Sequence, residues 1–294
     1  MSVQASDSAV TLGRAPAWTA VSRGFADPLG RMGLALVLLL LLTAVFADVI
    51  SAYPPTKMLP RDRFLSPSYE HLLGTDQLGR DLFSRMIHGG RVALMVAFPA
   101  IGISLALGIF FGLASGYAPK WLDNALLLLF DSIRSFPTVM LALALATIIG
   151  PSLQTVVVVV ILFSAPAYAR IIRTQTLALR SAEFVLAAVA TGASIRRVLG
   201  VHVLPNIIGP ILILVSMDLP VVITTEAGMS FLGLGVRPPT PSWGSILNDG
   251  YSFIRESPWL AIAGGLPIIV TTIGFTFLGE ALRDAYDPKL RKDG

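Results

Sequence analysis

Long apolar runs with almost no charge are the feature that most constrains this chain. One of them, GLALVLLLLLTAVFADVI at residues 33–50, carries a single acid near its end. A hydrocarbon core about 30 Å thick is crossed by about 20 apolar residues in a helix, because a helix satisfies its own backbone hydrogen bonds. Since 54% of the 294 residues are hydrophobic and only 14% are charged, the chain is predicted to be an all-α integral membrane protein.

Six transmembrane helices are predicted from these runs. They cover about residues 33–50, 92–116, a stretch within 125–150, 153–169, 207–232 and 260–282. This pattern divides the chain into a cytoplasmic N-terminal tail (1–32), a first transmembrane helix (33–50), an extracytoplasmic loop (51–91), a core with five transmembrane helices (92–282) and a cytoplasmic C-terminal tail (283–294). A polar, patterned segment at 174–206 interrupts the core and is predicted to be a cytoplasmic loop.

The orientation follows from the distribution of Lys and Arg. With both termini inside, the inner segments hold more basic residues than the outer ones, as the positive-inside rule requires. Residues 51–91 are more basic than that rule favours for an outer loop. The first thirty residues are polar and mixed, so they do not resemble a signal peptide.

The loop before the second span predicts an amphipathic helix at the outer membrane surface. Its apolar residues form one helical stripe, made of Leu78, Leu82, Phe83, Met86 and Ile87. Asp81 and Arg85 are spaced as an i, i+4 ion pair, and Gly89 is a natural stop. The helix either orients the second span by packing or contacts a ligand.

Two short helices joined at a glycine are predicted within residues 174–206. Ser181 can cap the first, Glu183 lies in its first turn, and Gly192 can end it. Ser194 can start the second, which Pro205 is expected to close. The exposed apolar surface of this element comprises Phe184, Val185, Ala187 and Ala188. It either docks a partner protein or lies on lipid headgroups.

Two acids fall inside the fifth predicted span. Asp218 lies about 18 Å into the helix and Glu226 about 12 Å further, at 1.5 Å per residue. Because ionisable groups at this depth are costly, they are candidates for lining a transport pathway, or else they accept hydrogen bonds between packed helices. Asp131 and Arg134, one turn apart, are interpreted as a local ion pair.

Several classes of function lack their signatures. The sequence contains no G-x-x-x-x-G-K-[ST] phosphate loop and no cysteine, and its three histidines are not at metal-ligand spacing. No basic block interleaved with aromatics suggests nucleic-acid binding. No repeat of the first three spans is visible in the last three, as many ion-coupled secondary transporters would show. The sequence therefore predicts a non-catalytic chain without a cofactor or metal of its own.

The 174–206 segment resembles the cytoplasmic loop of ABC importer permeases. The family pattern is E-A-A, three residues, Gly, nine residues, Ile, any residue, Leu-Pro. Matching positions in this chain are Ala187, Ala188, Gly192, Leu204 and Pro205. Leu186 replaces the Glu of the pattern and His202 replaces the Ile, and Glu183 is a nearby acid.

Two further stretches, HLLGTDQLGRDLFSRMIHGGR and EAGMSFLGLGVRPPTPSWGSILNDG, are similar to regions of the second permease subunit of dipeptide, oligopeptide and nickel importers. The resemblance implies a type I ABC importer permease fold in the bacterial inner membrane. The implied partners are a second permease, two ATPase subunits that bind ATP and Mg, and an extracytoplasmic solute-binding protein. The expected ATPase-coupling residues are Glu183, Phe184, Ala187, Ala188, Gly192, Leu204 and Pro205. Peptides are the expected substrate, with nickel or another small solute as the alternative.

Overall fold

The computed structural model of the protein describes residues 27–286. Most of the predicted tails, 1–32 and 283–294, lies outside the described residues, and the parts inside them belong to the first and last helices. The helices are α1 (Pro28–Val45), α2 (Ala47–Ile50), α3 (Leu82–Tyr117), α4 (Lys120–Arg134), α5 (Thr138–Ile149), α6 (Leu153–Arg180), α7 (Glu183–Ala190), α8 (Ile195–Arg197), α9 (Leu204–Phe231), α10 (Trp243–Ser252) and α11 (Trp259–Tyr286). A π-helical segment, Val198–Val203, joins α8 to α9 without a break.

Five helices within residues 27–286 are long and apolar enough to cross a membrane: α1, α3, α6, the continuous helix Ile195–Phe231, and α11. The third predicted span, within residues 125–150, is not one straight helix. It consists of α4 and α5, which meet at a bend of 85°. Pro137 explains the break, because proline disfavours the helical conformation in the residue before it. The pair makes a sixth span only if it crosses as one broken unit.

Among the described residues, helices α3 and α6 make the most extensive contact between two helices, and glycines of α3 lie in it. Gly108, Gly112 and Gly116 are spaced four residues apart and therefore lie on one face of α3. A Cβ atom on Gly108 would lie 2.4 Å from Tyr168 Cβ, and one on Gly112 would lie 2.7 Å from the carbonyl oxygen of Ala169. Only glycine permits this approach, so the two backbones pack against each other directly.

The structure corrects the predicted surface helix in the outer loop. Asp81 is the N-cap of α3, and its Oδ2 accepts a hydrogen bond from the Ser84 amide at 2.7 Å. The helix then runs through Gly89 into the membrane span instead of stopping there. Gly89 has a packing role, since a Cβ atom at this position would lie 2.6 Å from Cδ1 of Trp243. Leu78 precedes the helix and lies in a loop.

The remaining helices complete one bundle. Helix α1 packs closely on α11, where a Cβ atom on Gly33 would lie 2.5 Å from the Leu278 amide nitrogen. Buried residues of α1, α3, α5, α6, α9 and α11 form a single apolar core, which includes Val96, Val159 and Ile223. Trp243 of α10 joins this core and donates its indole N–H to the Met86 carbonyl at 2.8 Å. Helix α10 is thereby fixed against one end of α3.

The glycine contact generates a stability prediction. Gly112→Leu should separate α3 from α6, because the new side chain meets backbone as well as side chains of α6. We expect a loss of at least about 1–3 kcal/mol, the usual cost of overpacking, measured as a lower thermal unfolding midpoint of the detergent-purified protein. Gly102→Leu on the same helix is the control, since nothing lies within 4 Å of a Cβ there. Equal midpoints for the two variants would contradict the contact.

Candidate functional site

The segment 181–203, which we call the knob, begins with a correction to the predicted cap. Ser181 is the C-cap of α6, and its hydroxyl donates to the Ala178 carbonyl at 3.2 Å. The N-cap of α7 is Ala182, which has no side chain able to accept a hydrogen bond. Glu183 lies in the first turn of α7 and is exposed, as the sequence predicts.

The predicted end of α7 at glycine is confirmed. Gly192 has a φ of +84°, which non-glycine residues rarely adopt. The Gly192 amide donates to the Val189 carbonyl at 2.9 Å, and the Ala193 amide donates to the Ala188 carbonyl at 3.0 Å. These two bonds form a Schellman motif, which satisfies carbonyls at the end of the helix and turns the chain back.

The predicted closure at Pro205 is wrong. The chain stays helical from Ile195 to Phe231, and Pro205 lies in the first turn of α9 with Leu204 before it. Pro205 has no backbone N–H to donate. The π-helical segment Val198–Val203 lies directly before it and shifts the hydrogen-bond spacing at this point. The knob is therefore continuous with a membrane-spanning helix.

The knob is anchored by one side and presents apolar side chains on the other. Val185 is buried, in contact with a cluster that includes Ile172 of α6. Three large apolar residues of α7 are about half exposed: Phe184 at 46%, Leu186 at 54% and Val189 at 51%. Ala187 is exposed as well, and Ala188 is half-buried.

Ion pairs that sequence reasoning missed brace this end of the bundle. Arg173 of α6 donates from Nε to Asp123 Oδ1 of α4 at 2.5 Å. Arg170 pairs with Asp131, and the Arg134 guanidinium lies 5.5 Å from the centre of the Phe163 ring. Asp131 and Arg134 therefore do not pair with each other as predicted. The partners are about 40 to 50 residues apart in the chain, so no local spacing reveals them.

Asp218 and Glu226 lie on α9 but do not form one site. Asp218 is half-buried and close to the buried side chain of Tyr168. Glu226 is fully buried, and its Oε1 accepts a hydrogen bond from the Ser230 hydroxyl at 2.7 Å. In this conformation Glu226 acts as a hydrogen-bond acceptor within the chain. A pathway role for either acid stays a prediction.

At the opposite end of α6 and α9 lies a cavity of about 810 Å³. Its position follows from its lining, because Pro151 precedes α6 and Phe231 ends α9, whereas the knob joins the other ends of both helices. The loop before α3 contributes Arg80, and α10 contributes Asp249. We call this space the outer cavity.

Buried charges surround the outer cavity. Asp76 Oδ2 lies 2.5 Å from Arg80 Nε and 3.5 Å from Arg85 Nε. Arg80 also reaches Asp249, with 3.6 Å between Nη2 and Oδ2. The predicted Asp81–Arg85 pair is absent, because Asp81 instead accepts from the His71 ring nitrogen Nδ1 at 2.8 Å. The loop residues are thus fixed by ion pairs that link them to α3 and α10.

A second ion-pair cluster ties α2 to α3. Asp48 lies 2.8 Å from Arg91 Nη2 and 3.1 Å from His88 Nε2. The hydrogen bond from Arg91, and then that from His88, lowers the pKa of Asp48 below its ordinary value. No group of three or more His, Asp or Glu residues that could hold a metal ion occurs in the part of the chain that the structure describes.

Comparison with known proteins identifies the family. The family model described as the binding-protein-dependent transport system inner membrane component matches residues 108–292. The dipeptide transport system permease protein DppC of Alkalihalophilus pseudofirmus is 36% identical, covering 90% of this chain and 87% of that protein. The chain belongs to this family. It is a multi-pass inner-membrane permease component of an ABC importer.

Other permeases of the family are equally similar. The di/tripeptide transport system permease protein DppC of Pseudomonas aeruginosa is 36% identical, covering 92% of this chain and 91% of that protein. The glutathione transport system permease protein GsiD of Pectobacterium atrosepticum is 38% identical, covering 87% and 85%.

The fold matches that of a type I importer permease. A chain in an inward-facing structure of the MetNI methionine ABC transporter superposes with a TM-score of 0.57 at 17% sequence identity, covering 69% of this chain and 97% of that chain. The likeness at this identity concerns the fold alone. It confirms the predicted all-α permease fold.

The Gly192 turn of this permease yields a second prediction. Gly192→Ala should strain the left-handed turn by about 1–2 kcal/mol, which opens the knob about 5- to 30-fold more often. Trypsin should then cut faster after Arg196 or Arg197, which are exposed beside the turn. Gly200→Ala is the control, since a Cβ there meets nothing within 4 Å and the φ is not left-handed. Equal cleavage rates would refute the turn.

Proposed function

We propose that the chain forms half of the translocation pathway of an ATP-driven, binding-protein-dependent importer of di- or oligopeptides. The substrate proposal is supported by relatives named for dipeptides, di/tripeptides and glutathione, which is itself a tripeptide. Each aligns over at least 85% of both chains. The other half of the pathway is a second, homologous permease.

We place the knob in the cytoplasm and the outer cavity on the extracytoplasmic side. At the knob end, α6 contributes Arg170, Arg173 and Arg180 and α8 contributes Arg196 and Arg197. With both tails on this side, its segments together hold more basic residues than the segments of the other end. Excess positive charge near membrane ends is typical of cytoplasmic segments. This orientation puts both termini in the cytoplasm.

The observation that carries the proposed coupling role is the group of half-exposed apolar residues on α7. Phe184, Leu186 and Val189 lie on a short helix held in place by Val185 and flanked by charged residues. Apolar side chains grouped in this way are costly in water unless a partner covers them. We propose a cytoplasmic ATPase subunit as that partner, with one such subunit for each permease.

The division of labour follows from what the sequence lacks. The chain has no G-x-x-x-x-G-K-[ST] loop to hold nucleotide phosphates, so ATP and Mg are proposed to bind the two ATPase subunits. Closure of the ATPases would then move the knob, and the continuous helix from Ile195 to Phe231 would carry that movement toward the other side. Substrate would arrive from an extracytoplasmic solute-binding protein.

The orientation can be tested with single introduced thiols, because the chain has no native cysteine. Cysteines at Ser68 or Thr240 should react with a membrane-impermeant maleimide added to intact cells, and cysteines at Ser181 or Ser194 only after permeabilisation. All four side chains are exposed, so burial does not limit labelling. The opposite pattern of labelling would refute the orientation.

The docking role of α7 predicts the effect of Ala187→Glu. A charged side chain buried without a partner typically costs a few kcal/mol, so the ATPase subunits should no longer co-purify, or their ATPase should no longer respond to loaded binding protein. The measurements are subunit recovery in a detergent pull-down and stimulated ATP hydrolysis in reconstituted vesicles.

Ala178→Glu is the matched control for this experiment. It makes the same change at an exposed position of α6, outside α7. This variant should keep both complex yield and stimulation. If Ala187→Glu behaved like the control in both assays, α7 would not be the docking element.

A further inference from the structure

The outer cavity has the size and the fixed walls of a small-ligand site. Its volume of about 810 Å³ lies within the range of about 300–1,000 Å³ that such sites show. One wall, the loop after α9, is held by Ser230, whose hydroxyl donates to Glu226 Oε1 at 2.7 Å and accepts from the Val236 amide at 3.3 Å. The cavity is thus built on fixed elements.

The charges that line the cavity are of both signs and incompletely paired: Arg80, Arg85 and the exposed Arg237 are cationic, and Asp249 is anionic. Arg80 and Arg85 are each 3% exposed and share the single carboxylate of Asp76. Asp249 is the next acid, but it lies 3.6 Å from Arg80 Nη2, longer than a hydrogen bond, and its side chain is 25% exposed. This loose pair can be opened by a ligand that offers each side chain a better partner.

A zwitterion meets this requirement better than a simple anion or cation. Its carboxylate would bind the two buried arginines and its ammonium would bind Asp249, so both signs of charge would gain a partner, while the exposed Arg237 is solvated. Gln77, which also lines the cavity, has an Oε1 atom without a hydrogen-bond partner among the described residues and can accept from an amide N–H. Together these groups match the ends and the amide of a short peptide.

The apolar part of the wall leaves room for varied side chains. The rings of Phe231 and Tyr251 meet edge to face with centroids 6.1 Å apart, and the side chain of Tyr251 is 75% exposed. Leu232 and Val236 extend this surface. Such a wall offers contact area without a shaped pocket, so recognition would depend on the peptide termini.

We propose that the outer cavity is a receiving site for zwitterionic di- and tripeptides, in which Arg80 and Arg85 face the C-terminal carboxylate and Asp249 faces the N-terminal ammonium. The inference rests on the proposed function, because it places the peptide between the extracytoplasmic solute-binding protein that delivers it and the pathway through the membrane. Asp249, Gln77 and the two arginines are binding residues in this assignment.

The test uses the purified complex of both permeases and both ATPases, without binding protein. The probe is the radiolabelled dipeptide alanyl-photoleucine, cross-linked by light and located by mass spectrometry. We expect labelling of residues of the outer cavity. Ala-Ala should compete at concentrations at least about tenfold lower than N-acetyl-Ala-Ala or Ala-Ala-amide, because each blocked peptide loses one charge-assisted hydrogen-bond partner.

Variants then separate the two ends of the peptide. Asp249→Asn should abolish the preference for Ala-Ala over N-acetyl-Ala-Ala and keep the preference over Ala-Ala-amide. Glu256→Gln makes the same acid-to-amide change on an exposed residue that does not line the cavity, and it should keep both preferences. The competition between peptides is measured in the unmodified complex. It can therefore refute the proposal even if the Asp249→Asn variant does not fold.

Three outcomes would overturn the proposal: no cross-link in the cavity, equal competition by the blocked peptides, or protection of a Tyr251→Cys thiol by binding protein and not by Ala-Ala. The last result would assign the cavity to protein docking.

ATP-driven, binding-protein-dependent peptide uptake by the unmodified complex in vesicles is measured in parallel. Uptake with any of these failures would refute only the receiving site, whereas cavity labelling without uptake would refute the proposed function.

Discussion

The direct backbone contact between α3 and α6 determines the arrangement of this permease. Helices in lipid gain nothing from the hydrophobic effect when they associate, so close packing has to supply the stability. Gly108 and Gly112 provide it by letting Tyr168, Ala169 and Ile172 approach within contact distance of the α3 backbone, and Gly116 does the same for Thr176. Since α6 leads into the knob and α3 begins beside the outer cavity, one contact surface positions both ends of the molecule.

The two ends of the molecule differ in how deeply their ion pairs are buried, and the difference has a physical consequence. At the knob end, arginines brace α6 against α4, and large apolar residues of α7 are about half exposed. At the other end, Asp76, Arg80 and Arg85 are almost fully buried. Burying an ion pair costs several kcal/mol per ion before mutual attraction offsets it. A network of this kind is therefore weak evidence for stability and better evidence for a site.

The sequence predicted the spans because apolar length is a local property, but it did not predict where helices end. Helices α3 and α6 continue beyond their apolar segments, since their polar ends are held by contacts with distant residues such as Asp123 and Trp243. The predicted helix end at Gly89 is wrong for the same reason, because the sequence does not distinguish a glycine required for packing from one that ends a helix. Gly192 was read correctly because its left-handed turn is a local requirement.

The sequence predicts the knob residues as a candidate site, and that role stays a prediction, whereas the sequence does not indicate the outer cavity. The residues that match the importer-permease pattern lie in one short segment, so their spacing can be seen directly in the sequence. The cavity brings together the loop before α3, the end of α9 and α10, which are up to about 170 residues apart. Arg80 and Asp249 therefore gave no signal as a pair, although each lies within a stretch that resembles importer permeases.

The continuous helix from Ile195 to Phe231 makes the two ends mechanically dependent on each other. At 1.5 Å per residue its 37 residues span about 55 Å. The knob forms its start, and Glu226 and Ser230 tie its far end to a wall of the outer cavity. A ligand that binds the cavity better in one position of this helix must shift the helix toward that position. By linkage it must also change how tightly the knob is bound by its partner, and the partner must change the affinity of the cavity by the same factor. Under the proposed function, ATPase engagement and peptide occupancy would thus both depend on the position of one helix.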